Sequence, residues 1–123
     1  MANPFVHVEL NTRDLPAAKN FYSRLFGWKL DDEPMPSGGT YTMIQVGSGT
    51  GGGMYSSNDP NTAPGWTAYV GVDDIKASTE LARELGATII VDSVAVGEFG
   101  WMSVFVDPTG APLAMWQSRS PAA

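Results

Sequence analysis

The 123-residue sequence contains no cysteine. No disulfide framework, zinc finger, iron–sulfur cluster or thiol nucleophile can be built from it. It has a single histidine, His7. A mononuclear site using two or three histidines cannot come from one such chain. Basic residues are few: 7 Lys and Arg against 13 Asp and Glu, for a formal charge of −6. That charge repels a phosphate backbone, so nucleic acid is not an expected partner. No run approaches the roughly 18–20 apolar residues that span a bilayer, so no membrane partner is expected either. The opening Met-Ala-Asn-Pro-Phe-Val-His has neither a basic nor a continuous apolar leader region, and the expected location is cytoplasmic. What is present, 43% hydrophobic residues with 11% aromatic, suits one ordinary folded domain over 1–123.

Strand and helix signals alternate along the chain. Phe5 to Leu10 reads as a strand. Asp14 can cap a helix that tolerates Pro16 in its first turn, carries Leu15, Ala18, Tyr22, Leu25 and Phe26 at helical spacing, and stops at Gly27. Short strands follow at Trp28 to Asp31, Tyr41 to Val46 and Gly52 to Ser56. Ser57 to Pro64 reads as a linker, after which the order returns. Trp66 to Val72 is a strand, and Asp73 or Asp74 caps a helix with Ile75, Leu81, Ala82 and Leu85 that ends at Gly86. Strands at Thr88 to Val91, Trp101 to Val106 and Leu113 to Trp116 complete the chain. Shifting the sequence by 60 residues lays Val6 to Leu10 on Trp66 to Val70, Asp14-Leu15 on Asp74-Ile75, and Tyr41 on Trp101. A strand–helix–three-strand unit thus occurs twice, at about 5–56 and 65–118.

Two motifs invite chemistry that their context does not support. Gly47-Ser48-Gly49-Thr50-Gly51-Gly52 matches the dinucleotide pattern, but the chain continues as a strand and Pro60 and Pro64 block a helix that could receive a pyrophosphate. The glycines read as a turn. Asp31, Asp32 and Glu33 read as a solvated loop before Pro34, and Glu98 as part of a surface turn.

The sequence resembles the vicinal oxygen chelate superfamily of glyoxalases, bleomycin-resistance proteins and extradiol dioxygenases. The residues that carry the resemblance are His7-Val8-Glu9-Leu10, Asp14 to Ala18, and Phe21-Tyr22 through Leu25-Phe26-Gly27. In the second half they are Gly65-Trp66, Tyr69 to Asp74, and Phe105 to Ala111. The resemblance implies an α+β fold of two βαβββ modules whose sheets curl around a cleft, often within a homodimer. It further implies a divalent metal held by four side chains, two from each module. His7 stands at the first ligand position, while Thr67, Met54 and Ala114 stand at the others. Thioether and methyl groups do not replace carboxylate and imidazole around such ions, and threonine is a poor ligand. The expectation is a cleft without the family's metal, and no cofactor.

His7 and Glu9 share a strand face and are the candidate catalytic pair, with Glu9 able to act as a base or to hold a polar ligand group. Tyr69, Thr67, Trp116, Gln45, Met54 and Trp101 are the candidate ligand contacts, since aromatics on a concave surface bind flat organic molecules. Tyr41 and Ser103 lie on the same strands as further possibilities. The function expected is binding of an apolar or aromatic organic molecule, for sequestration or metal-free conversion. A metal-dependent lyase, isomerase or dioxygenase, and a protein-interaction subunit with an empty cleft, are the alternatives.

Overall fold

A computed structural model describes residues 2–35, 38–57 and 59–119. Its elements run β1 (Phe5–Thr12), α1 (Leu15–Phe26), β2 (Lys29–Pro34), β3 (Thr40–Gln45), β4 (Gly52–Ser56), β5 (Gly65–Gly71), α2 (Ile75–Glu84), β6 (Thr88–Val96), β7 (Gly100–Val106) and β8 (Pro112–Ser118). The βαβββ order therefore occurs twice, in a mixed α+β fold. The chain divides into two compact units, His7–Thr67 and Met1–Val6 with Ala68–Ala123.

In the first unit the strands lie in the order β2-β3-β4-β1, with β1 and β4 parallel and the other pairs antiparallel. One face is closed by α1. Leu10, Ile44 and Met54 form its core, and Leu15, Ala18, Tyr22, Trp28, Leu30 and Val46 pack around them. The helix starts where Asp14 Oδ1 accepts the Ala17 N–H at 3.0 Å. It stops at Gly27, whose left-handed φ of 71° lets its N–H reach the Ser23 carbonyl. No residue of α1 is fully buried; Phe21, Leu25 and Phe26 are each more than half exposed.

The second unit repeats the plan as β5-β8-β7-β6, with β5 and β8 parallel. Asp74 caps α2 through the Ala77 N–H, and Gln117 Oε1 on β8 accepts the Ile75 N–H at 2.7 Å. A chain of buried hydroxyls ties the helix to the sheet. Thr79 Oγ1 donates to the Ile75 carbonyl, Ser103 Oγ meets Thr79 Oγ1 at 2.6 Å, and the Ser93 N–H donates to Ser103 Oγ at 2.9 Å. With the Thr79 proton committed to Ile75, the Ser103 proton must go to Thr79, so every partner is satisfied.

Two expectations are corrected here. Asp31, Asp32 and Glu33 are not a loop: they pair with β3 as part of β2. Strand alternation sends Asp32 to the α1 side, where Lys19 Nζ bonds it at 2.7 Å and the Thr42 hydroxyl donates to it, while Asp31 accepts from Gln45 on the other face. Strand β6 does not end at Val91 but continues to Val96, because register shifts between Ile89 and Val94 absorb Asp92 and Ser93 as a bulge. Ser93 there has a positive φ of 51°. No helix among the described residues is long and apolar enough to cross a membrane.

Candidate functional site

The helix-free face of the first unit carries the chemistry. Register aligns Glu9 with Gly53, Asn11 with Tyr55, Tyr41 with Tyr55, and Met43 with Gly53. Strand alternation therefore gathers His7, Glu9, Asn11, Tyr41 and Tyr55 on one face, opposite to Leu10 and Met54. Tyr41 lies across β4 to reach β1. A Cβ on Gly53 would stand 2.1 Å from the Tyr41 hydroxyl oxygen and 2.3 Å from its ring carbons, so only glycine leaves the ring room.

The reach brings three polar groups together. Tyr41 Oη donates to Glu9 Oε2 at 2.8 Å, and His7 Nε2 lies 2.7 Å from Tyr41 Oη. The phenol has one proton, and Glu9 takes it. His7 Nε2 is thus the donor, which assigns the lone pair of the neutral ring to Nδ1. The His7 and Tyr41 rings are near-parallel at 6.2 Å between centroids, and Tyr41 and Tyr55 at 6.4 Å. Burial lowers the His7 pKa from its ordinary value, because the imidazolium loses hydration. Burial, then the negative charge of Glu9, raises that of Tyr55, which keeps its phenol protonated. Asn11 completes the row on β1: its Nδ2 bonds the Ala63 carbonyl at 3.4 Å, and its buried Oδ1 has no partner among the described residues.

The lowered His7 pKa has a direction in pH. Below the ordinary value of 6.5 the unfolded chain takes up a proton that the folded protein resists. Stability is therefore expected to fall as the pH drops below 6.5, and to stop falling once folded His7 also protonates. The carboxylates held low by hydrogen bonds, such as Asp32 beside Lys19, contribute stability that is lost only as pH falls through and below 3.8. As the only histidine, His7 gives one imidazole signal in an NMR titration, with an expected midpoint below 6.5; a midpoint at or above that value would contradict the assignment.

The other sequence candidates are dispersed. Gln45 shares the Tyr41 face but is exposed and donates to Asp31. Met54 faces the core, with 0% of its surface exposed, so its expected place beside a ligand is replaced by a packing role. A slip of one residue on β4 separates the two faces. Thr67 is half-buried on β5. In the second unit, Tyr69 pairs with Ala114 in register, and Trp116 lies two residues further along the same face, its indole over Gly100. Tyr69 is only 6% exposed and Ala114 fully buried. Trp101 and Ser103 alternate onto the α2 side: Ser103 bonds Thr79, and the Arg119 guanidinium lies 4.7 Å from the Trp101 ring. Neither shares the face of Tyr69 and Trp116.

Sequence reasoning placed Tyr41 only among many strand aromatics and passed over Tyr55, Asn11 and Gly53. The available signal was a glycine diagonal to a tyrosine across one hairpin, visible only once the register is known. Among the described residues no three His, Cys, Asp or Glu side chains converge as a metal cluster would. At the expected ligand positions Met54 and Ala114 are buried without donor oxygen, and His7 Nε2 and Glu9 Oε2 are both engaged by Tyr41. These residues do not fit the four-ligand ion of the resemblance.

The family model for the Glyoxalase/Bleomycin resistance protein/Dioxygenase superfamily matches residues 5–115. The chain belongs to this superfamily. A Mycobacterium bovis protein carrying the provisional name glyoxylase CFP32 is 35% identical to this superfamily member over 116 residues, covering 91% of the chain but 44% of the relative. The anthracycline biosynthesis protein DnrV of Streptomyces peucetius is 30% identical over 123 residues, covering 89% of the chain and 45% of the relative. The chain thus spans about half the length of these curated relatives. Among solved structures, a hypothetical protein from Bacillus halodurans superposes with a TM-score of 0.78 at 16% identity, over 100% of this chain and 99% of that one. A methylmalonyl-CoA epimerase from Mycobacterium tuberculosis does so at 0.72 and 18% identity, over 95% and 88%. Identities this low speak for the superfamily fold alone.

Proposed function

We propose that this superfamily member binds a flat, hydroxyl- or carbonyl-bearing aromatic molecule on the helix-free face of its first unit, without the metal that the superfamily commonly uses. The observation that carries the reading is the hydrogen-bonded run from His7 through Tyr41 to Glu9, set beside the ring of Tyr55. A carboxylate has about four acceptor positions, so Glu9 can take a ligand hydroxyl as well as the Tyr41 proton. The parallel aromatic rings provide a surface on which a planar ligand stacks. The name of the relative in anthracycline biosynthesis agrees with a polycyclic aromatic ligand. The bound molecule is sequestered, or is converted with Glu9 moving the proton.

A hydroxylated anthraquinone is the probe. Calorimetric titration should give saturable binding at one site per chain, with Glu9→Gln and Tyr41→Phe each weakening it roughly tenfold, the scale of one hydrogen bond to a charged group. Equal affinity in wild type and both variants would sink the assignment. Elemental analysis of chelator-free protein separates the rival: stoichiometric nickel, iron or manganese would favour a metal-dependent lyase, isomerase or dioxygenase.

A further inference from the structure

On the other face of the first unit, an apolar slot of about 130 Å³ opens beside Trp28 and Trp66. Val8, Ile44 and Val46 form its sides, and Thr50 with the bare backbone of Gly51 and Gly52 lines it further. Ile44 belongs to the core cluster and Val46 packs against it, so the slot lies on the α1 side of the sheet, away from His7 and Glu9. No charged side chain lines it.

We infer that this slot is a second binding site, which takes one uncharged apolar ring or a branched alkyl group of the same size. The volume is the first argument. An apolar cavity of about 150 Å³ in a protein interior stays dry and admits benzene, so the space here suits a single ring. The walls are the second. The Trp28 and Trp66 indoles meet edge to face at 6.5 Å with an interplanar angle of 79°, and Tyr22 meets Trp66 at 83°. A ring seated beside this pair adds to an existing aromatic cluster and touches indole surface of both tryptophans that line the slot. Water gains little there, because a buried water needs two to four polar partners and Thr50 is the one polar side chain in the lining, beside the backbone of Gly51 and Gly52. The site stands independently of the function proposed for the opposite face.

Bromobenzene tests it, because its heavy atom quenches tryptophan emission on contact and two of the four tryptophans line the slot. Quenching should saturate, and Trp66→Phe should remove part of the quenchable emission while keeping an aromatic wall. Val46→Phe, which fills the space, should abolish the saturable phase. If circular dichroism shows that variant unfolded, Val46→Leu, larger by one methylene, should weaken binding several-fold instead. His7→Gln should leave the quenching curve unchanged, which separates this site from the other face. Toluene should raise the melting temperature of the wild type but not of the filled variant. Linear quenching that is identical in wild type and filled variants would overturn the inference. So would a slot closed by a second copy, seen as dimerisation in sedimentation with no response to either probe.

Discussion

Gly52→Ala is expected to cost about 3 kcal/mol or more of folding stability, the upper end for overpacking because the obstacle is backbone. A Cβ at Gly52 would lie 2.1 Å from the Val8 carbonyl oxygen and 3.2 Å from its carbon. No rotamer change relieves that contact. Val8 is the residue opposite Gly52 in the parallel ladder that runs from there to Thr12 and Ser56, and its N–H is tied to the Gly51 carbonyl at 3.1 Å. Making room means parting β1 from β4, and with them the strands that carry Glu9 and Gly53. Against a total of roughly 5–15 kcal/mol for a small domain, the loss is severe. At about 4 °C per kcal/mol for a chain of this size, the melting temperature should drop by 12 °C or more. Gly65→Ala is the control, since a Cβ there meets nothing within 4 Å and the residue has no positive φ. It should stay within about 0.5 kcal/mol of wild type. Similar melting temperatures for the two variants would show that β1 and β4 are not held as described.

Met54→Ala is the second large effect, with an expected loss of about 2–5 kcal/mol. Met54 is fully buried between Leu10 and Ile44, and truncation removes its apolar contacts and leaves a cavity under α1. Met43, one strand away on the opposite face, is 40% exposed, and Met43→Ala should cost less than about 1 kcal/mol. Urea denaturation of the pair reads the difference directly. Equal losses would mean that Met54 does not face the core, and would restore it as a ligand contact.

Those two methionines mark where the sequence stopped being informative. The capping aspartates, the glycine stop after α1 and the order of the eight strands follow from local rules, while the full lengths of β2 and β6 do not. Which face of a strand meets the helix does not. On β3 and β4 both faces carry large side chains, Tyr41, Met43 and Tyr55 on one and Ile44 and Met54 on the other, so alternation gives two faces without saying which is the core. Trp101 on β7 poses the same question, and its register with Gln117 puts it on the α2 side. The Tyr41 bridge depends on a longer-range fact still: Gly53, twelve residues on, has to sit diagonally beneath the ring, and only the hairpin register puts it there. His7 and Glu9 were legible as a pair because they are neighbours on one strand; the tyrosine that joins them was not.

The bulge in β6 bears on self-association. Strand β6 has a neighbour on one side only, and such an edge is a template on which another chain can extend the sheet. At Ser93 the backbone leaves the ladder with positive φ and spends its N–H inward on the Ser103 hydroxyl. An incoming strand would find the row of donors interrupted at its middle, with Asp92 and its Arg83 partner beside the gap. A hydroxyl chain that anchors α2 from within thus also blunts the outer margin of the sheet against fibre-like growth.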